Sequence, residues 1–303
     1  MTSADQPGTP RDRVVEYWSE RHARSDHGKH DNFLSHPLVQ GYVSLRAFGN
    51  LTPHLDAVIT QIRERTQPGA RIYSPGCGPA DKEIALAKAL PDRHFVASDI
   101  TPTVLAGATE DAVRRGVHNL EFTVADFNQL SLEPRSLDAV LGLGSIHHVE
   151  ALERFWAEVR DALRPGGVVL AQEFVGPNRM QWRPAQVEHG NRVLRDLVPR
   201  IHKVHHQEVV MTPVGEMLRL DPSEAVRSED ILATCKAAGF TILGYASAGC
   251  ALLQPVLMNQ VHTFDPRNFD HNLVLMQLFA EEDRLMKSGI LHDDFAMWVA
   301  APA

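Results

Sequence analysis

The sequence predicts an α/β protein: seven strands in a mostly parallel sheet, with helices on both faces and a helical cap. Three observations carry this reading. Strand and helix patterns alternate from Ile72 to Phe174, as repeated βα units do. The strands are apolar runs rather than alternating ones, so both sheet faces must be covered. A glycine-bearing turn, Gly76-Cys77-Gly78, follows the first strand, and Asp99 ends the second about 20 residues later, an arrangement typical of a nucleotide-binding edge.

Taken in order, residues 1–11 are polar and proline-bearing and read as a disordered lead, without the apolar core of a signal sequence. Residues 12–65 read as an N-terminal helical cap region. Arg13–Arg21 is helix-capable, and Leu55, Val58, Ile59 and Ile62 fall at helical spacing between Pro53 and Arg65. Residues 66–174 are the core. They give strand Ile72–Ser74, helix Asp81–Leu90, strand His94–Ser98, helix Pro102–Arg115, and strands Leu120–Ala125 and Asp138–Leu143. Helix Val149–Leu163 follows, stopped by Arg164-Pro-Gly-Gly, and then strand Val168–Phe174. The alternation breaks there. Residues 175–227 read as a cap insertion, with a helix over Pro184–Val198 and a His-rich stretch. Residues 228–248 return to the core: Ser228 caps a helix ending at Gly239, and Phe240–Ala246 is the sixth strand. Residues 249–289 are a second cap insertion, whose helix from about His271 to Lys287 carries a stripe of Leu275, Leu278, Phe279 and Leu285. Within 290–303, Phe295–Ala300 is the last strand.

Composition narrows the function. With 303 residues, 44% of them apolar, the chain suits one large domain or a core with an added cap. A net charge of −8 gives no global electrostatic case for nucleic acid. Cys77, Cys235 and Cys250 make neither a disulfide framework nor a zinc set, so a reducing, cytoplasmic compartment is expected. No run approaches membrane-spanning length. The partner expected is a small-molecule substrate, with no nucleic acid and no membrane; a homodimer is left open.

The candidate site lies where several turns gather at the carboxyl edge of the sheet. Gly76 and Gly78 lack a Cβ, so a ligand can lie against bare backbone. The helix that follows sets its N-terminus there. Asp99 can bind a ribose hydroxyl pair, which points to a nucleoside-containing cofactor. The turn is not the dinucleotide fingerprint, because Asp81 stands where the third glycine would be. A cofactor with an amino-acid tail suits it better. Asp126 can accept from an exocyclic amine and Phe127 can pack on a base, together an adenine pocket.

With these pieces in place, the chain resembles the class I S-adenosylmethionine-dependent methyltransferases of bacterial small-molecule type. The resemblance rests on Ser74-Pro-Gly-Cys-Gly-Pro-Ala, Ala97-Ser-Asp-Ile-Thr, Val124-Ala-Asp-Phe-Asn, Gly144-Ser-Ile-His-His-Val and Leu163-Arg-Pro-Gly-Gly, five motifs in order from about Gly69 to Phe174. It implies a Rossmann-like core with strand order 3-2-1-4-5-7-6 and an antiparallel seventh strand. It also implies S-adenosyl-L-methionine held by Ser74, Gly76, Cys77, Gly78, Asp99, Ile100, Asp126, Phe127 and Gly144. Two positions depart from the family: Ser74 stands where an acid is usual, and Ala80 where a third glycine is usual.

Transfer of an activated methyl needs mainly in-line alignment and exclusion of water. A general base helps when the acceptor is a hydroxyl or amine. The resemblance places His147, His148 and Glu173 near the sulfonium as candidates, with Glu173 alternatively a loop anchor paired to Arg179. The stretch Phe174-Val-Gly-Pro-Asn-Arg-Met-Gln-Trp resembles one bacterial subgroup and offers Asn178, Arg179, Gln181 and Trp182 to the acceptor. His202 and His206 have chelating spacing, but no carboxylate motif accompanies them and Arg200 and Lys203 lie beside them. No metal is expected. Large insertions at the active face imply a bounded pocket for a metabolite. The expected activity is methylation of a small molecule at a hydroxyl or amine. The alternatives are carbon methylation, or a non-methylating role as a cyclisation catalyst or binding module.

Overall fold

The computed structural model describes residues 9–23, 33–197, 208–258 and 260–303. The apolar runs become β1 (Arg71–Pro75), β2 (His94–Asp99), β3 (Leu120–Val124), β4 (Leu137–Leu143), β5 (Leu163–Phe174), β6 (Phe240–Gly249) and β7 (Phe295–Pro302). They form one sheet in the order β3-β2-β1-β4-β5-β7-β6. The first five are parallel, and β7 runs antiparallel to both β5 and β6. The order implied by the resemblance is the one observed. Its reversal between β1 and β4 leaves a crevice at the carboxyl ends of the central strands, where open sheets bind ligands.

Helices cover both faces because the central strands are apolar on both. On one side α3 (His54–Arg65), α4 (Asp81–Ala89) and α5 (Pro102–Arg114) bring Ile62, Ile84 and Ala108 against Ile72, Phe95 and Leu141. On the other, α6 (Leu152–Ala162) and α9 (Ile231–Ala237) bring Phe155, Trp156 and Cys235 against Tyr73, Val140 and Trp298. Each such large side chain, fully buried, stabilises the fold by roughly 1.5–3 kcal/mol before entropy is counted. A separate apolar core joins α2 (Pro37–Phe48), α7 (Pro184–Leu197), α10 (Leu253–Leu257) and α11 (Phe269–Lys287) around Leu252, Leu253 and Leu275. The remaining helices are α1 (Pro10–Ala23) and α8 (Val214–Leu220).

Local differences from the sequence reading have local causes. Helix α1 begins at Pro10, inside the stretch read as a lead; residues 1–8 lie outside the described residues. Strand β5 starts at Leu163 because Leu163 pairs with Leu137 before the register shifts, and Gly166 at φ +82° carries the chain through. Helix α6 starts at Leu152, three residues late, because the Asn128 side chain takes the Glu150 and Ala151 amides at 2.8 and 3.0 Å. Ser228 does not cap its helix; it is fully buried and its hydroxyl donates to the Gly176 carbonyl. His202, His205 and His206 lie outside the described residues. Among the described residues, no helix is long and apolar enough to cross a membrane.

Candidate active site

A cavity of about 910 Å³ opens at the carboxyl edge, between the turns after β1 to β4 and helix α1. Its floor is the glycine turn. Gly76 sits at φ +65°, and a Cβ there would come within 2.7 Å of the Phe127 ring and 2.8 Å of the Ser145 Cβ. Only glycine fits. The Gly78 amide donates to Asp99 Oδ2 at 2.9 Å, and the Thr101 amide to Asp99 Oδ1 at 2.9 Å. Asp99 therefore fastens the end of β2 to the turn while facing the cavity. Ile100, Phe127 and Gly144 line the same space. Asp126 also lines it, accepts the Asn128 amide, and lies 3.7 Å from Arg11 of α1. Cys77 donates its amide to the Ser98 carbonyl. Burial, with Glu83 and Asp99 nearby, pushes its thiol well above the ordinary range, so it stays neutral and is no nucleophile.

Of the cofactor residues expected from the sequence, Ser74 alone is off the cavity wall. It is 2% exposed, and its hydroxyl donates to Glu83 Oε1 at 2.7 Å. Glu83, in the first turn of α4, is itself 3% exposed and lines the cavity. Burial raises its carboxyl above the usual value, against the Ser74 hydrogen bond. Its neighbour Lys82 also lines the cavity and donates to the Leu143 carbonyl at 2.5 Å. Sequence reasoning missed both. The available signal was charge in the first turn of the helix that follows the glycines.

The loop after β4 is built on Glu173. This residue is fully buried on β5, and its Oε1 accepts the amides of Gly144, Ser145 and Ile146 at 3.0, 2.7 and 2.8 Å. Its Oε2 lies 2.9 Å from His147 Nδ1. Burial alone would raise this carboxyl, but the bond to His147, its charge and the loop amides hold it below its ordinary value. Both oxygens of Glu173 are thus engaged, one by the loop amides and one by His147. The expected pairing of Glu173 with Arg179 does not occur. Arg179, at φ +57°, turns back to donate to the carbonyls of Pro222 and Glu224 at 2.5 and 3.2 Å.

The other residues expected at the acceptor are engaged in the same way. Asn178 accepts the Glu229 amide, and Gln181 donates to the carbonyls of Arg179 and Thr212. Trp182 is 4% exposed, donates to the Val210 carbonyl and packs against Phe174. None of Asn178, Arg179, Gln181 and Trp182 is on the cavity wall. Their polar groups answer nearby backbone that the insertion would otherwise leave unpaired.

His148 does line the cavity, and Trp18 of α1 meets it edge-on with ring centres 5.5 Å apart. Its Nδ1 is 3.1 Å from the Ser223 hydroxyl, which donates to Asp221 Oδ1 at 2.6 Å. Burial and the adjacent His147 lower the basicity of His148. For His147 burial acts the same way, but the hydrogen bond to Glu173 and its charge win and raise it. Both rings turn their Nε2 atoms to Glu224, at 3.7 Å for His147 and 4.0 Å for His148. Asp221, Ser223 and Glu224 reach the site from the insertion before α9, and no sequence spacing marks them.

A family model described as a methyltransferase domain matches residues 72–167. An arsenite methyltransferase of Halobacterium salinarum is 24% identical over 157 residues, covering 49% of this chain and 40% of that protein. A sterol 24-C-methyltransferase of Gibberella zeae is 30% identical over 108 residues, covering 35% of this chain and 28% of that protein. The chain thus spans less than half the length of either relative. The solved structure of a geranyl diphosphate methyltransferase in complex with S-adenosylmethionine has a TM-score of 0.52 at 11% identity, covering 82% of this chain and 84% of that one, a likeness of fold. The matched model, the motif order and the strand order together identify residues 72–167 as a methyltransferase domain of the class I S-adenosylmethionine-dependent kind.

Proposed function

We propose that this chain binds S-adenosyl-L-methionine in the cavity and transfers its methyl to a small-molecule acceptor, at a hydroxyl or amine. The observation that carries the reading is Glu83, a buried acid held by Ser74 and turned to the cavity beside the glycine turn. An ammonium brought there by the cofactor's amino-acid tail would pair with a buried carboxyl that only the Ser74 hydrogen bond and the nearby Lys82 charge now favour. Lys82, on the cavity wall beside the glycine turn, is a cation available to the tail's carboxylate. Asp99 takes the ribose hydroxyls, and Asp126 and Phe127 take the adenine. The acceptor then lies toward His148, under Trp18, where the enclosed space suits a metabolite. Alignment with the S–CH3 bond and exclusion of water supply most of the rate. Handling of the acceptor's proton falls to the group formed by His147, His148 and Glu224.

The test is calorimetric titration of the full chain with S-adenosylmethionine and S-adenosylhomocysteine. Asp99→Ala and Glu83→Gln should each weaken binding by about tenfold or more, as loss of a charged hydrogen-bonding partner does. A folded wild-type chain that binds neither ligand would sink the reading. Binding followed by methyl transfer to no acceptor in a metabolite screen would favour the non-methylating alternative.

A further inference from the structure

We infer that His147, His148 and Glu224 form a binding site for a divalent first-row transition ion. The argument begins with the protons. His147 Nδ1 faces Glu173 Oε2 at 2.9 Å, and a carboxylate only accepts, so Nδ1 carries the hydrogen. His148 Nδ1 faces the Ser223 hydroxyl, whose own hydrogen goes to Asp221, so Nδ1 is again the donor. With both rings neutral, the form that binds a metal, both Nε2 atoms hold lone pairs and lie toward the Glu224 carboxylate. The ligand atoms of the three residues lie within 4.8 Å of one another. Contacts of 3.7 and 4.0 Å are too long for hydrogen bonds, so electron pairs converge with no donor between them. A metal with bonds of about 2.0–2.2 Å to nitrogen and oxygen answers that geometry after small side-chain rotations.

A second observation is independent of the first. Asp221 is 4% exposed, and its Oδ2, 4.0 Å from His148 Nδ1, has no hydrogen-bond partner. Glu173, Asp221 and Glu224 therefore put three carboxylates around the two rings. Among the described residues Arg179 is a nearby cation, but its guanidinium is turned to the carbonyls of Pro222 and Glu224. Charge gathered this way needs a counter-charge.

Each imidazole is also backed by a carboxylate, Glu173 directly and Asp221 through Ser223. That arrangement fixes the ring and strengthens it as a ligand. Two imidazoles and one carboxylate suit zinc, cobalt, iron or manganese better than magnesium or calcium. Three protein ligands leave a coordination position open, and His148 is on the cavity wall. Resting on the methyltransferase reading, that position would take an acceptor hydroxyl and lower its pKa. With the three groups ligating the ion, they act on the acceptor's proton through the metal: the hydroxyl proton leaves to solvent, the O–CH3 bond forms, the S–CH3 bond breaks, and S-adenosylhomocysteine departs.

The test uses the metal-stripped full chain titrated with Co²⁺, following visible d–d absorption and equilibrium dialysis. One tightly held Co²⁺ per chain is expected. Glu224→Gln and His148→Ala should each weaken it by more than about 100-fold, beyond the effect of losing an outer partner. The triple variant His202→Ala, His205→Ala, His206→Ala should keep it, which separates the site from histidines elsewhere. Titration with S-adenosylmethionine in the same samples checks that each variant is folded. A wild-type chain that binds S-adenosylmethionine but no Co²⁺, or Co²⁺ affinity unchanged in Glu224→Gln, overturns the metal site. Either result leaves the methyltransferase reading standing.

Discussion

Glu173 and Glu282 solve the same problem in two regions. Each is a fully buried acid that gathers three backbone amides of a loop: residues 144–146 for Glu173, and Cys250, Leu252 and Leu253 for Glu282. The difference lies in the remaining partner. Glu173 has His147 at 2.9 Å and is held below its ordinary pKa, so it stays charged. Glu282 has the Tyr42 hydroxyl at 3.3 Å, and burial lifts its carboxyl despite the amides and Arg46. A loop can thus be anchored by an acid of either kind. Charge is retained where the acid also aims an imidazole, which sets the loop beside the cavity apart from the one at residues 250–253.

The sharpest way to break this comparison is at Glu173. Glu173→Leu strands three amides and His147 Nδ1 in a dry interior and should cost about 3–5 kcal/mol in urea unfolding. Glu173→Gln keeps an acceptor for the amides but offers an N–H to His147, which reverses the ring's tautomer. Turnover should fall about 10- to 100-fold with S-adenosylmethionine affinity little changed. Equal losses of affinity and turnover would mean that Glu173 only supports the loop.

The matched change, Glu282→Gln, should cost about 1–3 kcal/mol, because Cys250 bonds to one carboxyl oxygen and Leu252 and Leu253 to the other, so the new NH2 must face a backbone N–H. Its turnover should equal that of the wild type. A loss as large as that of Glu173→Gln would erase the distinction between the two anchors.

The comparison is sharpened last by a pH slope, read at Asp294. Asp294 accepts from Arg183 and Gln186, yet burial pushes its pKa up to about 7. The folded chain therefore keeps this proton to higher pH than the unfolded chain, whose value is near 3.8. The resulting stability is fully present below that lower value and is lost as pH rises through about 7. Glu282 contributes with the same sign. Asp294→Asn should flatten the decline in unfolding free energy measured between acid and neutral pH. An unchanged slope would assign it to other groups.

Much of the fold was legible because the central strands are buried on both faces and leave apolar runs with little ambiguity. The start of β5 was not, since only the pairing of Leu163 with Leu137 makes Arg164-Pro-Gly-Gly part of a strand. The cofactor edge was legible for a related reason: Gly76, Asp99, Asp126 and Gly144 each end or follow a strand, and topology brings strand ends together. Glu83 was hidden because a helix supplies the acid that the strand lacks. Asp221, Ser223 and Glu224 were hidden because an insertion carries them in. Asn178, Arg179, Gln181 and Trp182 stood out by type, but their neighbours in space claim their polar groups.

The fit around Gly76 has a consequence for how this edge tolerates variation. The Phe127 ring and Ser145 fill the space that a single added methyl group would occupy, so three loops distant in sequence share one margin of less than an atom's width. The constraint is one-sided: while Gly76 is kept, positions 127 and 145 should accept smaller side chains, whereas position 76 should stay glycine even in libraries that make room at the other two, because its φ of +65° strains any other residue.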